Sequence, residues 1–195
     1  MSLADLARRL ENLIRIVTIA HVDVADAAAP RVRVQDGDLL TGWLPFGALR
    51  AGTARVWSAP TVGEQVLLLS PSGELASAVV FGSLFCSATP APSTNPHDHI
   101  IDFADGTRIS HNDATGAMVF TGMKTLLLKA SQSITLDTAT VLVKASASVT
   151  VDTPATHLNG TVTHTGAALQ SNGVVLHTHK HGGVRGGVDQ TRGPA

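Results

Sequence analysis

Three histidines, His177, His179 and His181, stand two residues apart in the segment Val174-Val175-Leu176-His177-Thr178-His179-Lys180-His181, just ahead of a glycine-rich end. Side chains of an extended strand alternate between its two faces, so all three imidazoles would project from the same side. Neutral imidazole is the commonest metal ligand in proteins, and this spacing makes the segment a candidate metal-tied tip. His97-Asp98-His99 repeats the spacing, but it follows Pro96 in a proline-rich stretch and reads as a solvated loop. His157 and His164 lie in a Ser/Thr-rich aliphatic region, where they could cap a layer, meet an axial ion, or hydrogen-bond at a surface or between chains.

Other chemistry finds little footing. Cys86 is the single cysteine, which excludes an intrachain disulfide and a thiolate zinc site, and it reads as a small buried hydrophobe. Glycoside hydrolysis usually needs two carboxylates facing a cleft, yet no glutamate follows Glu74. Asp137 and Asp152 recur at the same place in a repeat and read as turn residues. No nucleophile-elbow motif is present, so the sequence predicts no catalytic residues and no organic cofactor. The 14 basic and 15 acidic residues leave a net charge of −1, too little to steer the chain onto nucleic acid or an anionic membrane. Its partners should be protein surfaces or a mechanical target.

The elements that must position the histidines follow from periodicity. A chain of 195 residues has room for one ordinary domain, or for a small domain with an extended module. Leu3, Leu6, Leu10, Leu13 and Ile14 fall at helical spacing behind Ser2, a plausible cap, and predict an amphipathic helix over residues 1–14. Asp5 and Glu11 interrupt the apolar run, so it does not read as an export signal. Its apolar face must dock on the chain's own barrel or on an assembly partner. Residues 15–90 read as short strands at Ile16–Val22, Arg31–Val34, Leu39–Pro45, Gly63–Ser70 and Leu75–Leu84, punctuated by Asp, Gly and Pro. Such a count fits a small Greek-key barrel of the oligonucleotide/oligosaccharide-binding (OB) type. Trp43, Phe46, Trp57, Phe81 and Phe85 sit among few cations along the chain, which argues against nucleic-acid stacking. Three prolines between Ala88 and Pro96 mark a linker, placed at residues 91–99, and a hairpin-like β segment follows through Ile100–Phe103, Arg108–Ser110 and Met118–Thr121.

An internal repeat then appears. Residues 126–140 align without gaps on residues 141–155, with Lys129 on Lys144, Ser131 on Ser146, Thr135 on Thr150 and Asp137 on Asp152. Alternating aliphatic and small polar residues at a short period are the mark of a stacked β-structure. Ile134 and Leu136, then Val149 and Val151, form one apolar stripe. One chain alone cannot bury that stripe or protect its strand edges. Closed homotrimerisation meets both demands, since three chains winding about one axis turn the stripe inward and pair each other's edges. The absence of aromatic residues after Phe120 suits a narrow interior. The residues therefore predict an all-β chain: an OB barrel over residues 15–90, a region over residues 100–176 in which three chains wind about one axis, and a metal-tied, Gly-rich end at 177–195.

In this order of elements, with Val62-Gly63-Glu64-Gln65-Val66-Leu67, Val79-Val80-Phe81-Gly82-Ser83-Leu84, Asp105-Gly106-Thr107, the aliphatic/Thr repeats and the terminal His-x-His-x-Gly-Val, the chain resembles the baseplate protein V family. These are the central tail spikes of contractile-tailed phages, related to the spikes of type VI secretion and of phage-like bacteriocins. The resemblance spans essentially the whole chain. It implies a homotrimer in the virion, at the tip of the tail baseplate, whose residues 100–176 form an intertwined triple-stranded β-helix ending in a pointed tip. It implies that the trimer is assembled in the host cytoplasm, is held by the tail hub, tube and other baseplate proteins, and perforates the host outer membrane when the sheath contracts. It also implies one iron ion per trimer on the three-fold axis, held by His179 and His181. His177-Thr178-His179 satisfies the same spacing, so the register stays open. Two histidines from each of three chains supply six imidazole nitrogens without sulfur, a set that favours iron(II) over four-coordinate zinc. The alternatives are a spike of a bacteriocin or type VI apparatus, or an OB-type binding module. Short length favours the phage tail.

Overall fold

Residues two apart are buried together along each long strand of the N-terminal half: Val17 and Ile19, Val32 and Val34, Val66 and Leu68. This period-two burial is what a curved sheet closing on itself requires. The computed structural model describes residues 2–176 and Thr178, and they fall into two compact units divided between Lys129 and Ala130. The first unit opens with α1 (Leu3–Asn12), followed by β1 (Ile14–Asp23), β2 (Arg31–Asp36), β3 (Leu39–Leu40), β4 (Leu44–Pro45), β5 (Gln65–Leu69) and β6 (Val79–Leu84). These strands form one sheet in the order β3-β2-β1-β5-β6, with β4 also paired to β2. Phe46, directly after β4, bridges Val80 of β6, and the Gly47 amide donates to the Val80 carbonyl at 2.8 Å. That contact closes the barrel. Register shifts between Ile19 and His21 and between Val66 and Leu67 supply the local bends closure needs.

The core is wholly aliphatic: Val17, Ile19, Val32, Val34, Leu44, Val66, Leu68, Ala78 and Val80. The strand expected over Leu39–Pro45 is two short strands, because Thr41 is buried between them and accepts the Val34 amide through its hydroxyl at 3.1 Å. The strand expected from Leu75 begins only at Val79; Pro71–Gly73 and Leu75–Ser77 are short 3₁₀ turns.

Helix α1 is capped by Ser2, whose hydroxyl accepts the Asp5 amide at 3.1 Å. It meets the barrel through polar groups. Arg9 pairs with Glu74 at 3.0 Å and donates to the Ser72 carbonyl at 3.3 Å, while the buried Asn12 amide donates to the Gly73 carbonyl at 3.4 Å. The leucines face away, with Leu3 84% and Leu10 59% exposed. Of the two docking places the periodicity allows, the chain's own barrel therefore takes the polar side of the helix.

A three-stranded antiparallel sheet follows, β7 (Asp98–Asp102), β8 (Arg108–Asn112) and β9 (Ala117–Thr121), with β8 central. Its first turn explains the Asp-Gly-Thr motif. The Asp105 carboxylate accepts the Thr107 amide at 2.9 Å, and Gly106 takes a positive φ of 86°. In the second unit the described chain carries a single hairpin, β10 (Gln170–Ser171) with β11 (Val174–Val175). Among the described residues no helix is long and apolar enough to cross a membrane.

The seat of α1 depends on Gly73. Its φ is +72°, and a Cβ there would lie 2.3 Å from the Arg9 carbonyl oxygen. Gly73→Ala is expected to lift α1 while leaving the barrel closed, at a cost of about 1–3 kcal/mol. Hydrogen exchange should show Leu6–Leu13 amides losing protection and Val17, Val32 and Val66 keeping theirs; unchanged protection of the helix would contradict this seating.

Candidate functional site

The proposed ligands His177, His179 and His181 lie outside the described residues. The described residues that precede them in sequence form a hairpin. Asn172 and Gly173 both take positive φ, 47° and 80°, the conformation of a two-residue type I′ turn, for which Asn-Gly is the favoured pair. The hairpin is extended by the Leu176 amide donating to the Leu169 carbonyl at 2.8 Å. Sequence reading missed this turn, although the Asn-Gly pair is itself a hairpin signal.

The second histidine pair is better ordered than a solvated loop. His99 lies within β7, directly opposite His111 of β8, and their rings stack with centroids 6.2 Å apart. Asp113 closes the group: its carboxylate stands 2.6 Å from Nδ1 of His97 and 3.6 Å from Nε2 of His99. Strand pairing explains what local spacing hid, because Asp113 and His111 are distant in sequence and adjacent across the sheet. Among the described residues, no group of three or more His, Cys, Asp or Glu side chains is arranged to hold a metal ion. The cluster ties the start of the sheet to the β8–β9 turn.

On the opposite face, Asp98 accepts from the Ser93 hydroxyl at 2.7 Å and the Asn112 amide at 2.7 Å. These bonds, the Ser93 hydroxyl first, hold its carboxyl below the usual range. The Arg108 guanidinium does the same for Asp102 through a fork of 2.6 and 2.7 Å.

The barrel surface explains two of the sequence motifs together. Gly63 has a φ of +91° and its amide donates to the Ile19 carbonyl at 2.9 Å. Glu64 then accepts the Thr61 amide at 2.8 Å and, through its other oxygen, a short hydrogen bond from the Ser83 hydroxyl. Gly-Glu-Gln-Val and Phe-Gly-Ser-Leu are thus two sides of one clamp between β5 and β6. Beside it opens a cleft of about 420 Å³ lined by Phe46, Trp57, Val80 and Phe81. Arg31 and Arg33 both stand 6.0 Å from the Trp43 ring, cations that sequence distance had separated from it. Each is already engaged, Arg31 with Asp23 at 3.5 Å and Arg33 with the Thr41 carbonyl at 2.7 Å. Cys86 is only partly buried, and its sulfur lies 3.2 Å from the Thr89 hydroxyl; it sits after the last barrel strand, outside the aliphatic core.

The apolar side chains of the repeat region are exposed in the single chain. Ile134 is 58% exposed, Leu136 74%, Val149 63% and Val151 70%. Leu158 and Val162 are exposed too. Between β9 and β10 the described residues form no strand pairs within the chain, so the ladder expected there is not made by one copy.

The barrel defines the class. Residues 18–85 match the family described as the type VI secretion system/phage-baseplate injector OB domain, the stretch holding the Glu64–Ser83 clamp and every core residue but Val17. Over 204 aligned residues the chain is 40% identical to the spike protein of Escherichia phage P2, covering 96% of this chain and 95% of that protein. The chain belongs to the phage baseplate spike protein family.

Acid should reach the three-stranded sheet through Asp102. Its carboxyl titrates lower in the folded chain than in the unfolded one, so its contribution is present above about pH 4 and is lost as the pH falls through the folded value. The melting temperature of Asp102→Asn should therefore fall less than wild type between about pH 4 and 2. Parallel acid profiles would show that the fork has no part in acid sensitivity.

Proposed function

We propose that the protein is the central spike of a contractile tail baseplate, acting as a homotrimer whose residues 100–176 wind into a triple-stranded β-helix. Its barrels form the collar that meets the tail hub, tube and other baseplate proteins, and its apex perforates the host outer membrane when the sheath contracts. The observation that carries this reading is the repeat stripe: Ile134, Leu136, Val149 and Val151 are each more than half exposed in a single chain. Each such side chain buried contributes about 1.5–3 kcal/mol, and three chains closing about one axis bury all of them without leaving a strand edge. Folding of the shaft and association then become one event.

The role is mechanical, and no residue is assigned to catalysis. His179 and His181 are the proposed iron(II) ligands, one ion per trimer, with His177 as the alternative register. Imidazole nitrogens suit this metal. When bound, the ion supplies a structural crosslink between the three chains. The chain's own part is the pair of imidazoles that each copy contributes.

Mass in solution combined with elemental analysis tests both parts. A trimer holding one iron per three chains is expected, and His179→Ala with His181→Ala should stay trimeric and lose the iron. A monomer would overturn the shaft; unchanged iron in the double variant would overturn the ligand assignment.

A further inference from the structure

We propose that His164 lines the axis of the assembled shaft and that three copies, one from each chain, bind a borderline divalent transition metal ion such as zinc. This site is separate from the histidines at the chain's end. The inference rests on the trimeric reading above and adds to it a ligand that the aliphatic repeats alone do not call for.

Two features of the sequence place His164 on the stripe. The first is parity. Thr161, Thr163 and Thr165 occupy alternate positions, and the positions between them are taken by Val162 and His164, with Leu158 on the same alternation. In a strand, alternate residues share a face, so His164 belongs to the aliphatic side and His157 to the polar side with Asn159. The second is the repeat itself. Carrying the fifteen-residue period one step further sets His164 on Val149 and Ile134, and Gly166 on Val151 and Leu136. The large imidazole is thus followed, at the next position of the stripe, by the smallest residue.

The structure sets the two residues side by side. The His164 ring leans over Gly166, and a Cβ at Gly166 would lie 2.9 Å from its Nε2 and 3.2 Å from its Cε1. A valine or leucine there, as in the two preceding repeats, would push the ring away. At this level of the repeat two medium aliphatic side chains are thus replaced by one imidazole and one glycine.

An imidazole in an aliphatic bore needs a partner for its ring nitrogens. Three-fold symmetry brings three of them to one level, and three neutral imidazoles around an axis are a tridentate nitrogen set. Three histidines with one further ligand are a familiar zinc site, and imidazole equally suits cobalt and nickel. A water molecule or chloride completes the coordination. Both the proton on the second ring nitrogen and the threonines of the polar side remain outside it. The consequence is a crosslink inside the shaft, below the apex, which would resist fraying under axial load.

Full-length protein assembled in zinc-supplemented medium and freed of loose metal tests this by elemental analysis alongside mass in solution. His164→Val restores the residue type of the preceding repeat, so the trimer should persist with one zinc fewer per trimer than wild type. His157→Val should match wild type. His164→Gln, which keeps a polar side chain, should show the same loss as His164→Val. Cobalt-grown wild type should show visible ligand-field absorption missing from both His164 variants. A trimer whose zinc content is the same with and without His164 overturns this site alone, while a wild-type mass below a trimer overturns the assembly and this site together.

Discussion

A β-strand makes two demands at once: its backbone groups need partners along both edges, and its apolar face needs cover. The two halves of this chain answer them differently. In the barrel every long strand finds neighbours on the same chain, and the bridge from Phe46 to Val80 closes the ring over an aliphatic core. In the repeats neither demand is met within one copy. The proposed homotrimer answers that imbalance by pairing the same stripe of three copies in register.

The barrel's identifying residues serve geometry rather than ligand chemistry. Glu64 spans from the Thr61 amide to the Ser83 hydroxyl and so joins the segments that carry two of its motifs. Gly73 exists to let the backbone of Arg9 approach, which seats α1 by its polar side and leaves its leucines outward. A helix seated this way gives the barrel an exposed apolar edge, in keeping with the proposed place of the barrel among other baseplate proteins.

Much of this was legible in the residues because it depends on local period. Alternation found the barrel strands, helical spacing found α1 with its Ser2 cap, and the gapless repeat found the stripe. What escaped was set by contacts across sequence. Thr41 breaks a strand by reaching back to Val34, and Arg31 and Arg33 reach Trp43 only through the β2–β4 pairing. His97 and His99 looked like a loop until Asp113 and His111 were brought opposite them by β7 and β8. The Asn172-Gly173 turn was local and readable, and was passed over. Of the metal site, the spacing of His177, His179 and His181 is the whole of the signal, and those residues lie outside the described part.

The proposed spike requires that residues 126–169 complete their β-structure with other copies of the chain. Amide hydrogen exchange on the full-length assembled protein tests it most directly. Amides of the stripe repeats, from Leu126 to Val151, should be protected as strongly as those of Val32 and Val66 in the barrel core, and should lose that protection together with the oligomeric mass on dilution or denaturation. Exchange of the repeats as fast as free peptide, beside a protected barrel, would contradict the account.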